Sequence, residues 1–574
     1  MMNKSLRFLL NYKTLIGIIF GLVFLQALSQ LYLPTLMGNI VDKGVVTGNI
    51  SYIWKTGLIM LIVALGGVIV AIISSYYSSQ VATGFARDLR EAIFSHVSGF
   101  SLHEFDQIGT ASLITRTTND VNQIQQATMM ILRMTLTAPI MLVGGLIMAM
   151  SKDFKLSLVI LFSIPFIVLT IFIILKKGAP LFKAVQEKLD YLNRVLRENL
   201  TGIRVIRAFT REKSERKRLN QANENLMDVS IKVNRLMAFA MPLMMLFMNI
   251  TVVLIIWFGS FRINTGAMQI GDLMAFIQYV MLIMFALMMA SMMFVIVPRA
   301  AVSARRIQEV LALERIEPSE GDKNLTQQSE IKFTDVSFHY PNAEEPALSD
   351  ISFNAKKGET TAIIGGTGSG KTTLINLIPR FYEVNSGKIE INKININDTS
   401  IEKVRAIIGL VPQKTQLFGG TIFENISYGR PNASQEEVEL AAKIAQAEEF
   451  ITSLPDGYET LIEQGGTNLS GGQKQRISIA RAIIRKPDIY IFDDSFSALD
   501  YKTDANLRTA LNEETKNTTI IIVAQRVSSV RYADQIIVLD KGRIVGKGTH
   551  DELLVDNVIY QEIVASQFGK GELA

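Results

Sequence analysis

Apolar residues fall into two different patterns along these 574 residues. In the first half they form long, nearly uninterrupted runs; in the second they come as runs of four or five between charged and glycine-bearing stretches. A helix that crosses the hydrocarbon core of a membrane needs about 20 mostly apolar residues. Six stretches meet that requirement: residues 15–36, 57–77, 129–150, 156–175, 236–258 and 273–297. The fourth is free of charge, and its Pro165 is tolerable because neighbouring helices can satisfy the carbonyl a proline frees. The connections after spans one, three and five are short and carry little charge, as in Ser151-Lys152-Asp153-Phe154. Those after spans two and four are long, amphipathic and charged, without clusters of turn residues, which predicts that the spans continue as helices well beyond the membrane.

Charge gives this membrane domain a direction. The net charge of +5 has its basic residues concentrated between apolar segments, among them Lys183, Arg194, Arg204, Arg207 and Arg211 after span four. Positive loops stay in the cytoplasm, so both long loops and both chain termini are expected there. Lys4, Arg7 and Lys13 precede the first run without a small-residue cleavage pattern, as in an uncleaved first transmembrane helix. The same charge could suit nucleic acid, but no aromatic-basic face or recognised module accompanies it, so no nucleic-acid partner is expected. The absence of cysteine excludes disulfides, thiolate metal sites and a cysteine nucleophile.

Two details of the membrane domain bear on function. Both long loops break their charge pattern with glycine and apolar residues, at Asp106-Gln107-Ile108-Gly109-Thr110 and at Gly202-Ile203-Arg204-Val205-Ile206-Arg207-Ala208-Phe209. These are expected contact points for a cytoplasmic domain. Methionines 281, 284, 288 and 292 form one helical stripe in span six, and 241, 244, 245 and 248 another in span five. Flexible, polarisable methionines can face an apolar ligand, although ordinary helix packing explains such stripes as well. No acidic residue lies within a span to announce a cation or proton site.

The polar stretch 314–330, with Pro318, Ser319, Gly321 and Asp322, separates a membrane domain over 1–313 from a second domain expected over 331–568, leaving a tail at 569–574. Thr361-Ala362-Ile363-Ile364 reads as a buried strand leading into Gly365-Gly366-Thr367-Gly368-Ser369-Gly370-Lys371-Thr372, with Thr373 next. That is a phosphate-binding loop in its proper strand-to-helix context. Its glycines let main-chain N–H groups turn toward a β-phosphate, and the helix that follows adds its positive end. Lys371 would reach the β- and γ-phosphates and Thr372 would place its hydroxyl on Mg²⁺. Downstream, the strand Ile489-Tyr490-Ile491-Phe492 ends in Asp493, the usual acidic hold on Mg²⁺.

Leu469-Ser470-Gly471-Gly472-Gln473, followed by Lys474-Gln475-Arg476, resembles the signature segment of ATP-binding cassette (ABC) transporters. With it, Tyr340 matches the aromatic that stacks on adenine, Gln413 in Val411-Pro412-Gln413 matches the Q-loop, and Ser497-Ala498-Leu499-Asp500 matches the D-loop. Glu463 stands where the family's exporters place a residue that contacts the coupling helices. Six spans ahead of one cassette extend the resemblance to the exporter branch over almost the whole chain. It implies an N-terminal all-α membrane domain of six long helices and a C-terminal α/β P-loop cassette with a helical subdomain. It also implies ATP as ligand, Mg²⁺ held by Thr372, Gln413 and Asp493, and a dimer in which each ATP lies between one chain's phosphate loop and the other's signature. Ser470, Gly471 and Gly472 are expected at a helix start, with N–H groups free for a γ-phosphate arriving from a partner.

Two positions depart from the family pattern. Asp494 stands where a catalytic glutamate polarises water, and Gln525, after the strand Ile520-Ile521-Ile522-Val523-Ala524, stands where a switch histidine contacts the γ-phosphate. The missing methylene withdraws the carboxylate by about 1–1.5 Å, and a misplacement of about 1 Å can cost about 100-fold in rate. A glutamine still donates a hydrogen bond but carries no imidazole proton. The pair resembles the degenerate-site half of bacterial heterodimeric ABC multidrug exporters. The expectation is a translocase in the bacterial cell membrane, among membrane lipid, moving small amphipathic or apolar compounds with a second half-transporter chain as partner. Lipid or peptide export, a homodimer and a nucleotide-sensing regulatory subunit are the alternatives.

Overall fold

The computed structural model describes residues 4–313, 330–340 and 343–567. The expected linker, apart from Glu330, and the tail 569–574 lie outside these residues. The described residues of Met1–Ser98 and Ile108–Leu313 form one compact unit; those of Gly99–Gln107 and Glu314–Ala574 form another.

The first unit is built on α1 (Lys13–Ile40), α2 (Ile50–Val97), α3 (Val121–Lys152), α4 (Phe154–Thr201), α5 (Glu212–Asn264) and α6 (Ile270–Ala312). Among the described residues six helical segments are long and apolar enough to cross a membrane, each containing one of the runs read from sequence. A helix is the form that satisfies every main-chain polar group inside its own segment, which hydrocarbon demands. With 48 residues each, α2 and α4 are about 70 Å long at 1.5 Å per residue, more than twice the hydrocarbon thickness of about 30 Å. The expected extension of these helices is therefore present. Pro165 and Pro180 lie inside α4, so neither proline ends it.

Close packing in this unit depends on small residues and a few polar ties. A Cβ on Gly271 would fall 2.1 Å from the Gly38 carbonyl oxygen, so α1 and α6 meet as closely as glycine permits. Above that crossing the buried Tyr279 shares a 2.6 Å hydrogen bond with Thr35. At the α3–α4 turn, Asp153 caps α4 by accepting from the Leu156 N–H and pairs with Arg262 of α5 at 2.7 Å. Lys152 pairs with Asp272 of α6 at 2.7 Å. The methionine stripes are divided: Met284 and Met244 pack against the bundle core, whereas Met245, Met281 and Met292 are exposed. The Met241 side chain lies outside the described residues.

The second unit holds two main sheets. One is antiparallel, in the order β2 (Leu348–Ala355), β1 (Ile331–Phe338), β4 (Ser386–Ile391), β5 (Ile394–Asn395). The other has six strands, β12 (Arg543–Gly548), β11 (Gln535–Asp540), β3 (Thr360–Ile364), β10 (Thr519–Val523), β9 (Ile489–Asp493) and β6 (Ile408–Val411). A short pair, β7 (Gly420–Thr421) and β8 (Leu461–Ile462), stands apart. From β11 through β6 all neighbours in the six-stranded sheet are parallel, and β12 closes its edge antiparallel. Parallel strands covered on both faces read as continuous apolar runs, and β9 and β10 are buried at every position. Within this unit the Tyr382 hydroxyl donates to Asp106 at 3.0 Å, so Asp106 and Gln107, the first two residues of one expected contact segment, group with the cassette while Ile108–Thr110 group with the helical unit.

Candidate nucleotide site

Open parallel sheets present ligand sites at the carboxyl ends of their strands. The order β3-β10-β9-β6 places four sequence-separated loops side by side at such an edge. The phosphate loop follows β3, Gln525 follows β10, Asp493 ends β9 with Asp494 next, and Gln413 follows β6. Strand register aligns them: Val523 pairs with both Ile363 and Asp493, and Val411 pairs with Phe492.

These loops enclose a cleft of about 340 Å³. Lining it are Tyr340, Thr367, Gly368, Gly370, Lys371, Thr372, Thr373, Gln413, Asp493, Asp494 and Gln525, together with Ala347 and Val523. Gly365, Gly366 and Ser369 belong to the same loop behind that surface. The signature residues Leu469–Gln473 and Asp500 do not line the cleft.

Local geometry explains the residue types. Gly370 has φ +97, and a Cβ there would meet the Ala347 carbonyl oxygen at 2.8 Å, so only glycine fits the start of helix α7 (Lys371–Leu377). The buried Lys371 ammonium donates to the carbonyls of Gly365 at 2.9 Å and Gly366 at 2.6 Å. Burial lowers its pKa, while the carboxylates of Asp493 and Asp494 act in the opposite direction. Thr372 Oγ1 donates to Asp493 Oδ2 at 3.2 Å. Burial raises the Asp493 carboxyl above the ordinary aspartate range, opposed by that Thr372 bond. The Tyr340 ring packs edge-on against Phe338 and Tyr382, and its hydroxyl shares a 3.1 Å hydrogen bond with Thr373.

Asp494 and Gln525 face the same cleft as Lys371. Asp494 adopts the left-handed region at φ +46, and its N–H donates to the Val523 carbonyl at 2.8 Å. Its carboxyl is raised by burial, with hydrogen bonds from the Gln413 side chain and the Gln525 main chain acting in the opposite direction. One carboxylate thus links the loops after β6, β9 and β10.

The signature begins helix α8 (Gly471–Ile483), with Ser470 as its N-cap. Here the expectation of three free N–H groups needs correction. Ser470 and Gln473 form a capping box: Ser470 N–H donates to Gln473 Oε1 at 2.9 Å, and Gln473 N–H donates to Ser470 Oγ at 3.3 Å. The first-turn amides of Gly471 and Gly472 have no carbonyl within the helix to reach. Asp500 caps α9 (Tyr501–Glu514), accepting from the Thr503 N–H and hydroxyl, which hold its carboxyl below the usual range. Glu463 is exposed and accepts from the Thr467 hydroxyl at 2.6 Å.

Two ties escaped sequence reading. Thr415 donates to Gln475 Oε1 at 2.6 Å, joining the segment after Gln413 to α8. Gln567, on the terminal helix α10 (Val558–Gln567), bonds to the main chain at Gln525 and Val527. Neither pair has a local sequence signal, since their partners lie 60 and at least 40 residues away.

A membrane unit of six long helices followed by a cassette of this design is the plan of an ABC exporter half-transporter. Comparison with known proteins agrees. Residues 16–311 match the model of the ABC transporter transmembrane region and residues 348–497 that of the ABC transporter. The chain is 42% identical over 569 residues to the ABC transporter ATP-binding protein YfiB of Bacillus subtilis (strain 168), covering 99% of both chains. It is 30% identical to an ATP-dependent lipid A-core flippase of Chromobacterium violaceum, covering 99% of this chain and 97% of that protein. Among solved structures, a bacterial Atm1-family ABC exporter with ATP bound superposes with a TM-score of 0.80 at 25% identity, covering 98% of this chain and 99% of the other. The chain belongs to the ABC transporter family, as an ATP-binding, ATP-hydrolysing multi-pass exporter.

Proposed function

We propose that this chain is one half of a heterodimeric exporter of amphipathic or apolar compounds, and that its own phosphate loop forms the slower of two ATP sites. The observation that carries this reading is the presence of Asp494 and Gln525 together in the cleft that holds Lys371, Thr372 and Asp493. Every group needed to hold ATP is there, while the water-polarising and γ-phosphate-sensing positions both carry altered side chains. Lys371 and the amides of the 365–372 loop bind the β- and γ-phosphates, and Tyr340 supports the adenine. Thr372, Asp493 and Gln413 supply oxygen donors that suit Mg²⁺, a hard cation that favours such ligands. The metal supplies charge neutralisation across the phosphates.

Gly471 and Gly472 stand outside this cleft, which supports their acting on an ATP held by the partner chain. The signature here is whole, so the fast site is the one made by this chain's signature and the partner's catalytic glutamate. The cassette and both termini face the cytoplasm, following the basic loops. Domain limits are 1–313, 314–330 and 331–568. Exposed Met281 and Met292 suit an adaptable surface for varied apolar cargo. A lipid cargo is the second reading, supported by the likeness to lipid A-core flippases.

ATPase assays of the purified chain, alone and co-expressed with candidate partner half-transporters, test the proposal. Weak turnover alone and strong turnover in the mixed complex are expected. A homodimer that matches the mixed complex overturns the asymmetric assignment. In reconstituted vesicles, ATP-dependent movement of an amphipathic dye favours the drug cargo, whereas movement of labelled phospholipid alone favours the lipid reading.

A further inference from the structure

The six apolar spans read from the sequence contain one charged residue between them, Arg133 in α3. At the other end of the same helix the charges are paired within the chain, Lys152 with Asp272 and the neighbouring Asp153 with Arg262. Arg133 differs. It is exposed, and among the described residues no hydrogen bond or ion pair engages its guanidinium. A charge inside a span is costly, and such residues are rare except where they face a substrate path or a water-filled cavity.

The helix around it is one-sided. At 3.6 residues per turn Asn122, Gln126, Met129, Met130 and Arg133 fall within about 100° of arc, and all of them are exposed. The rest of the circumference carries the buried Ile124, Ala127, Leu132, Ala138 and Met141. Arg133 stands about one turn inside the expected span, at the end that the basic loops place toward the cytoplasm. Further along the same side Ile140 is half-buried and Ile147 is exposed. The face therefore sets one cation near headgroup level, flanked by two methionines, with apolar surface deeper in.

We propose that Arg133 selects the cargo, and that this face takes amphipathic organic anions, an apolar body bearing one carboxylate or phosphate, from the cytoplasmic leaflet. The inference rests on the export of amphipathic compounds proposed above and narrows it. An amphiphile dissolved in that leaflet keeps its charge at the interface and its body deeper, the same order as the guanidinium and the apolar surface beyond it. Guanidinium and carboxylate or phosphate form paired, charge-assisted hydrogen bonds, the stronger kind. Met129 and Met130 adapt to bodies of varied shape. A cationic amphiphile meets like charge here, and a neutral one leaves the guanidinium to interfacial water.

The test uses the full-length chain in phosphatidylcholine nanodiscs, with empty discs subtracted. Fluorescence titration follows 1-pyrenebutyrate and its neutral analogue 1-pyrenebutyramide. Three variants are measured beside the native chain: Arg133→Gln, Arg133→Lys, and Met130→Glu, which puts a carboxylate one turn from the guanidinium to occupy it. Saturable binding of the butyrate to the native chain is expected. Arg133→Gln and Met130→Glu should weaken it at least about tenfold, the scale of losing a hydrogen bond to a charged group, and leave the amide unchanged. Arg133→Lys should keep the preference for the anion. Absence of saturable butyrate binding, or an equal loss for both probes, overturns the proposal. So does an Arg133→Gln chain that binds both as before, the result if the guanidinium only reaches back to water. Should Arg133→Gln fail to fold, Met130→Glu decides. In ATP-fed vesicles of the mixed complex, movement of the amide but not the butyrate overturns the cargo assignment and leaves export standing; movement of neither overturns the export reading itself. Phosphatidylglycerol that displaces the butyrate without being moved assigns the anion to surrounding lipid, which also overturns the proposal.

Discussion

The carboxamide of Gln567 clasps the backbone that follows β10, donating from Nε2 to the Gln525 carbonyl at 2.7 Å and accepting from the Val527 N–H at 2.8 Å. Gln525 is thus held by the last described helix of the cassette, from a residue 42 positions further along the chain. Gln567→Ala removes two hydrogen bonds worth about 0.5–1.5 kcal/mol each. Faster hydrogen exchange at the Val527 amide is expected, with ATP affinity unchanged and single-turnover hydrolysis at this chain's own ATP site lowered. Unchanged exchange at Val527 would show that the clasp bears no strain.

The double variant Asp494→Glu with Gln525→His restores the longer carboxylate and the imidazole. Hydrolysis at this site is expected to rise by about tenfold to 100-fold, the scale set by an ångström of misplacement. Single-turnover measurement in a complex whose other site is disabled reads it directly. An unchanged rate there removes the explanation of slowness from these two residues.

Acid should weaken Mg²⁺ binding earlier than an ordinary aspartate would suggest. The folded pKa of Asp493 is raised above 3.8, so the proton is bound more tightly in the folded chain. Its contribution to folding stability is therefore full below 3.8 and is lost as pH rises through the folded value. Mg²⁺ held by Asp493, as proposed, would require the carboxylate and would have to displace that proton. The Mg²⁺ concentration needed for nucleotide binding is expected to rise as pH falls from about 7.5 toward about 5, in the range above the usual aspartate pKa. Titrations at those two pH values check it, and Asp493→Asn should remove the pH dependence along with tight binding.

Thr372→Val preserves volume while removing the hydroxyl that sits 3.2 Å from Asp493. Mg²⁺-dependent ATP binding is expected to weaken by about 10–100-fold, as for lost metal-supporting groups. Binding measured in EDTA should change little, since the main-chain phosphate contacts persist.

In the membrane unit, Arg262→Ala would strand Asp153, whose side chain is only 2% exposed. Breaking a buried pair by removing one partner costs about 3–5 kcal/mol. A clear fall in Tm is expected in detergent, with partial recovery in Arg262→Lys. An unaltered Tm would mean that the Leu156 N–H bond alone satisfies the carboxylate.

Much of this was legible in one dimension. The six spans could be counted because hydrocarbon imposes a minimum length of apolar residues on each crossing. Helix continuation past Tyr77 and Leu175 could be read from charge without turn signals. Lys371, Thr372 and Asp493 were recognisable because the phosphate loop is a local device, its glycine spacing and strand-to-helix setting contained in one short segment. The capping box at Ser470 and Gln473 is local as well, so the partner of the Ser470 N–H lies within four consecutive residues.

Other features had no local signature. Asp494 and Gln525 lie 31 positions apart; the family resemblance assigns both to one ATP site, but no local spacing brings them together. Their meeting in one cleft follows from β9 and β10 lying side by side in register, a pairing set by the burial of both strands. The Gln567 clasp, the Thr415–Gln475 tie and the Arg262–Asp153 pair depend on packing between elements far apart in the chain. Local chemistry, written in consecutive residues, determined what this protein can hold. Tertiary structure decided which side chains share a site, because hydrogen bonds and burial act through distances that sequence order does not measure.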